Sequence, residues 1–235
     1  LLGNALLVIC YAMIALTLRR TLRGQTTIST RSEVAVMSVV VACGALFTGA
    51  LYVSFSRSMQ TLQEVDYADA FYRFFIGDLL GMMVLLPLAF LMLDVRRRPA
   101  FRDMFRSRSF WALLLLLMLC LVLIVSMPLE ERLKHFFPLF FAVGLMAATH
   151  SLPGAALACT LVQLLLVFTA SHSADDLAYI LDVQVVILTL NMTGLVIGTV
   201  VDERQRAEAQ LRDSLQLIAA GELAGSLAHE LHQPL

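Results

Sequence analysis

The sequence predicts an all-α protein: a polytopic bundle of transmembrane helices, followed by a cytoplasmic signalling helix. Three observations carry that prediction. Hydrophobic residues make up 59% of the 235 residues and charged residues 15%, with a mean hydropathy of +0.81; soluble chains carry roughly 25% charged residues. The apolar residues gather into seven runs, most near the roughly 20 residues that a bilayer demands. After Val201 the chain abruptly becomes charged and alanine-containing. The net charge of -1 is silent about partners. The bilayer is the expected one, and no nucleic acid is expected.

The runs lie near 1–18, 34–55, 70–93, 109–127, 136–150, 153–170 and 178–201. None alternates with a period of two, so a barrel is not expected and helices remain to satisfy the backbone in lipid. The fifth and sixth runs are short. Only His150-Ser151-Leu152-Pro153-Gly154 separates them, so they are either two tilted spans or a broken hairpin. Cys10, Cys43, Cys120 and Cys159 all sit in apolar runs without a CxxC pair, and read as small apolar side chains. The chain begins in an apolar run without Met and ends on Pro234-Leu235. It is expected to be cut at both ends, and no signal peptide is readable.

Basic residues set the orientation. Arg19, Arg20, Arg23 and Arg31 follow the first run; Arg96, Arg97, Arg98, Arg102, Arg106 and Arg108 follow the third; Arg204, Arg206 and Arg212 follow the seventh. Thirteen of the seventeen basic residues therefore fall on the side of the C-terminus, which is expected to be cytoplasmic in a bacterial inner membrane. Arg57, Arg73, Arg132 and Lys134 fall on the other side.

Within the spans, Gly77-Asp78-Leu79-Leu80-Gly81, followed by Pro87, is the most distinctive stretch. Gly77 and Gly81 form a GxxxG that lets another helix come close. Pro87 kinks or loosens the last turns. A carboxylate costs about 2.5–3.5 kcal/mol at the centre of a span on insertion scales, so Asp78 is expected to face protein or a water-filled pocket. It is either a ligand-, ion- or signal-sensing group or a structural interhelical hydrogen bond. Gly194 and Gly198 form a second candidate packing face, and Asn4, Gln163 and Asn191 are expected to hydrogen-bond across helices. Asp182 is placed near the outer interface. His135, His150 and His172 lie at span ends and are expected to be exposed there.

The residues after Val201 form a helix that leaves the membrane without a break. Leu211, Leu215 and Ile218 share one face, as a short two-stranded coiled coil or an exposed amphipathic helix would require. Further on, Leu223, Leu227 and Leu231 form a stripe. His229 lies two residues from the last two of these, roughly opposite them at about 100° per residue. An exposed imidazole beside Glu230 has a carboxylate to orient one ring nitrogen or take its proton. His229 and His232 are spaced i, i+3, whereas a zinc protease helix needs i, i+4, so no metal site is expected.

The segment Glu222-Leu223-Ala224-Gly225-Ser226-Leu227-Ala228-His229-Glu230-Leu231-His232-Gln233-Pro234-Leu235 resembles the H-box of sensor histidine kinases. The resemblance implies that His229 accepts the γ-phosphoryl group of ATP, with Glu230 as acid/base, and passes it to an Asp of a response regulator. Gln233 stands where many relatives carry the Thr or Asn that supports phosphatase activity. The resemblance also implies a homodimer. It places ATP and Mg in a catalytic domain that these residues lack, so this stretch alone is expected to be inactive and to hold no cofactor. The Gly77-Asp78…Gly81…Pro87 stretch, together with Leu2-Gly3-Asn4, Phe137-Pro138-Leu139, Leu152-Pro153-Gly154 and Val201-Asp202-Glu203-Arg204, is similar to the MASE-type membrane-associated sensor domains of the first class. The expected organisation is a sensor domain over 1–201, a signalling helix over 202–220 and the start of a dimerisation and phosphoacceptor domain over 221–235. Two rivals stand beside a sensor kinase: a transporter or channel, and the same sensor domain regulating a cyclic-dinucleotide enzyme.

Overall fold

The structure, a computed structural model, describes residues 2–21, 30–59, 66–94, 98–171 and 177–231. It is a helical bundle, with no strand among the described residues. The helices are α1 (Leu2–Thr21), α2 (Arg31–Ser58), α3 (Tyr67–Leu93), α4 (Arg98–Arg106), α5 (Arg108–Ser126), α6 (Leu129–Arg132), α7 (Phe137–Ser171) and α8 (Leu177–Leu231). A 3₁₀ turn over Leu133–His135 joins α6 to α7. Six of these helices are long and apolar enough to cross a membrane, and the chain is a multi-pass membrane protein.

The fifth of the six is two legs. Ser151 interrupts α7 with φ 55° and ψ -149°, outside the helical region. A Cβ on Gly194 of α8 would lie 2.9 Å from Val143 Cγ1 and 2.9 Å from Cys159 Sγ. In a straight helix those two residues would be about 24 Å apart at 1.5 Å per residue. Residues 137–150 and 152–171 therefore lie side by side as a hairpin turned at Ser151. This settles the choice left open by the sequence and brings the apolar legs to seven.

The hairpin and α8 form the centre. One core cluster joins α5, both arms of the hairpin and α8 through residues such as Phe110, Leu139, Ala158 and Ile187. A second joins α1, α2 and α3 to the hairpin and α8 through Met37, Met83, Ala156 and Leu195. The α8–hairpin seam is tight because Gly194 and Gly198 leave room: a Cβ on Gly198 would meet Ala155 Cβ at 2.9 Å and Leu152 Cα at 3.0 Å. Large apolar side chains such as Leu115, Phe141 and Val8 remain more than half exposed. In a bilayer that is the lipid-facing surface.

The other expected packing motif works differently. Nothing lies within 4 Å of a Cβ built on Gly77 or Gly81. No described helix of this chain uses that GxxxG; its face is open because α2, the hairpin and α8 all pack on other sides of α3. The interhelical hydrogen bonds expected of Asn4, Gln163 and Asn191 are also absent among the described residues. Asn4 is exposed, and the buried Gln163 Oε1 and both side-chain polar atoms of Asn191 find no partner.

Candidate functional site

Asp78 lies eleven residues into α3, about 16 Å from its start at 1.5 Å per residue, inside the membrane-crossing part. The Tyr11 hydroxyl of α1 donates to Asp78 Oδ1 at 2.7 Å. Asp78 Oδ2 is buried and has no partner among the described residues. The carboxylate thus faces protein on one oxygen, as its cost in a span requires.

Around this pair the same half of the bundle is aromatic. Tyr52 stacks on Phe74 with centroids 4.7 Å apart, and Phe71 lies parallel to Phe75 at 5.9 Å. Gly49 of α2 admits the ring of Phe71, whose edge would be 3.3 Å from a Cβ there. The rings fix α3 against α2, and Asp78 with Tyr11 bridges α3 to α1. Gly77 and Gly81 flank Asp78 on the open side. Pro87 is buried further along α3, and the helix continues past it to Leu93.

At the basic end, α8 is held as it leaves the bundle. Glu203 Oε1 accepts from the backbone N–H of Arg31 at 2.6 Å, and Oε2 accepts from Arg31 Nε at 2.9 Å. Arg31 is the first residue of α2, so its amide has no partner within its own helix. Thr30 and Glu33 complete a capping box there, and Glu203 supplies the next acceptor from another helix. The Arg31 amide and guanidinium hold the Glu203 carboxyl below the usual carboxylate range. On the hairpin side, the Ser151 hydroxyl donates to Gln205 Oε1 at 2.9 Å. Sequence reasoning missed both contacts. Thr30-Arg31-Ser32-Glu33 carried the signal for the cap, but nothing local announces a carboxylate arriving from 172 residues away.

Beyond this collar α8 projects from the bundle. Every residue from Arg204 to Glu222 is exposed, including Leu211, Leu215 and Ile218 at 61%, 56% and 59%. The helical backbone continues through His229 and Glu230 to Leu231. The side chains of His229 and Glu230, and the whole of Gln233, lie outside what the structure describes, as does His172. Of the other histidines, His135 is exposed and bonded to the Glu131 carbonyl at 2.9 Å. His150 departs from expectation: it is only partly exposed, with its ring edge-on to Phe110 at 5.7 Å, because the hairpin turn tucks it against α5. No group of three metal-ligating side chains occurs among the described residues.

The MASE1 family model matches residues 1–205. No curated protein and no solved structure matches the chain.

Proposed function

The chain belongs to the MASE1 family of membrane-associated sensor domains, and from that premise we propose that it is the sensory and coupling part of a bacterial sensor histidine kinase. The bundle sits in the inner membrane with its basic end in the cytoplasm. A cue acting on the membrane domain, with the Asp78–Tyr11 pair as the candidate sensing group, changes how α8 is held. The change travels along α8 to His229. In a polypeptide that continues into an ATP-binding domain, His229 takes the γ-phosphoryl group from ATP with Mg, assisted by Glu230, and yields it to an Asp of a response regulator. Two copies pair along the Leu211, Leu215 and Ile218 stripe.

The observation that supports this reading most is the continuity of α8. One helix of 55 residues begins among the spans and reaches the segment that resembles an H-box. A rigid rod is the simplest carrier of rotation, tilt or axial shift. The exposed apolar stripe supports the dimer, since a lone helix does not keep such a stripe in water without cost.

The test is acid-labile, base-stable labelling from ATP in membranes carrying the complete reading frame, with and without His229→Gln. The expected result is labelling that disappears in the variant. Labelling that persists in the variant overturns His229 as the acceptor, and none from folded protein with an intact ATP-binding domain overturns the kinase assignment. The sensor domain would then serve another output.

A further inference from the structure

Between α3 and α5 the chain makes a short helix that none of the roles above uses. α4 has nine residues, about 14 Å at 1.5 Å per residue, and cannot cross a bilayer. Its neighbour fixes its depth. α5 has 19 residues, about 28 Å, close to the roughly 30 Å of a hydrocarbon core. The start of α5 at Arg108 therefore lies at one edge of that core. Ser107, with φ -73° and ψ 132°, breaks the helix just before it, which leaves α4 at the level of the lipid headgroups. Aromatic contacts hold α4 there. Phe105 meets Phe110 edge-on at 4.9 Å, and the Trp111 indole N–H donates to the Phe105 carbonyl at 2.9 Å.

The side chains of α4 are sorted around it. Met104 is buried and marks the side packed on the bundle. Arg102 and Arg106 each lie two residues from Met104, about 160° away at 100° per residue, so both point away from the bundle. The acid of this helix, Asp103, lies on one flank of Met104 and faces the hairpin tip and the exit of α8, where it shares a cavity with His150 and Gln205. Phe105 lies on the other flank. It is 42% exposed, and the Trp111 that it holds is 56% exposed.

Two exposed aromatic side chains thus sit at the depth of a membrane's aromatic belt. Next to them, Arg102, Arg106 and Arg108 are exposed and have no partner among the described residues. A guanidinium fork matches two phosphate oxygens at once. A zwitterionic headgroup brings its own ammonium and offers these arginines no net charge, whereas an anionic one complements them. An apolar flank in the acyl boundary below a row of unpaired arginines is the pattern of an interfacial helix on an anionic leaflet. We propose that α4 and the start of α5 form a docking surface for anionic phospholipids. Arg102, Arg106 and Arg108 take the headgroup phosphates, and Phe105 and Trp111 lie against the first acyl carbons.

Trp111 is the sole tryptophan, so its fluorescence reports this surface alone. The experiment places the full chain in vesicles of phosphatidylcholine and phosphatidylglycerol, with bromine on the acyl chains of one lipid or the other. Quenching of Trp111 then gives the local share of each lipid. The expected result is a preference for phosphatidylglycerol on the order of fivefold, which is what one arginine near an anionic surface supplies. Replacing all three arginines, by Arg102→Gln, Arg106→Gln and Arg108→Gln together, is expected to erase the preference with helical circular dichroism unchanged. Removing the same charge at the opposite end of the bundle, by Arg57→Gln, Arg73→Gln and Lys134→Gln together, is expected to leave it intact. Equal quenching by the two lipids in the parent overturns the proposal. So does a preference that survives the first triple variant or falls as far in the second. Quenching by neither lipid would mean that protein, such as a second copy, covers the face. Erasure by excess soluble glycerol phosphate would give the arginines to a free phosphate. Either result overturns lipid docking.

Discussion

Two glycine pairs with the same spacing are predicted to respond oppositely to alanine. A methyl group on Gly198 would stand 2.9 Å from Ala155 Cβ, 3.0 Å from Leu152 Cα and 3.1 Å from the Ser151 carbonyl oxygen. Carbon atoms rest about 3.5–4.0 Å apart, so α8 must retreat by roughly half an ångström or more. Two of those three neighbours are backbone at the hairpin tip, and no rotamer change removes them. Overpacking of this kind costs about 1–3 kcal/mol, offset by the about 0.5–1 kcal/mol that alanine gains over glycine within a helix. The net expectation for Gly198→Ala is a loss of up to about 2.5 kcal/mol. Gly81→Ala meets nothing within 4 Å. It should keep the whole helical gain and stabilise by up to about 1 kcal/mol. Thermal unfolding of the purified chain in detergent, followed by helical circular dichroism, measures both. A Gly81→Ala variant destabilised as much as Gly198→Ala would refute the reasoning, since it would mean that the α3 face is packed after all.

Tyr11→Phe removes the one hydrogen-bond partner that Asp78 has among the described residues and leaves both carboxylate oxygens without one, so it should cost about 1–3 kcal/mol. Asp78→Asn keeps an acceptor for Tyr11 and should melt closer to the parent. In membranes, an Asp78→Asn variant that signals normally would remove the carboxylate from any sensory role. The Arg31–Glu203 contact gives a pH prediction. Because Arg31 lowers the Glu203 pKa, the contact is fully present above the usual Glu range and is lost only as pH falls through the lowered value. Spin-label distances between α2 and α8 should stay constant from neutral pH down to about 5, with lengthening only below the usual Glu pKa of about 4.3. Glu203→Gln should show a loosened contact at every pH. A transition near neutrality in the parent would rule out Glu203 as its cause.

The membrane bundle was legible because the bilayer imposes a simple rule on the sequence. Long apolar runs become helices, and the observed helices overlap every predicted run. His150-Ser151-Leu152-Pro153-Gly154 announced a break, but whether the legs fold back depends on α8, whose Gly194 and Gly198 receive both arms. The α4 helix falls within the basic stretch that follows the third run, where no element was expected. Phe101, Met104 and Phe105, at helical spacing, were the missed sign, and Met104 is buried. GxxxG spacing marks where a helix can approach and not whether one does, so Gly77–Gly81 and Gly194–Gly198 look alike in sequence and differ in the bundle. Asp78 stood out by the cost of a carboxylate in lipid. Its partner did not, since a tyrosine in an apolar run carries no mark of what it will bond 67 residues away.

The collar at the membrane exit constrains how α8 can move. Glu203 and Gln205 are two residues apart, about 200° around the helix at 100° per residue. They therefore reach opposite sides, Glu203 to the start of α2 and Gln205 to the hairpin tip. Met192 lies eleven residues before Glu203, within about 20° of the same face, and it too meets α2, through Ser38 at 3.8 Å. Gly198 and Gln205 are seven residues apart and share the hairpin face. Two faces of α8 are thus held at two heights. Turning α8 in place draws Glu203 away from Arg31 and Gln205 away from Ser151 together, while the glycine seam resists sliding through contacts with hairpin backbone. A cue that moves α2 alone would release the Glu203 side and leave the hairpin side engaged, so α8 would tilt about its glycine seam. Tilt is therefore the motion that this packing leaves cheapest, and the exposed rod beyond Arg204 would enlarge it with distance.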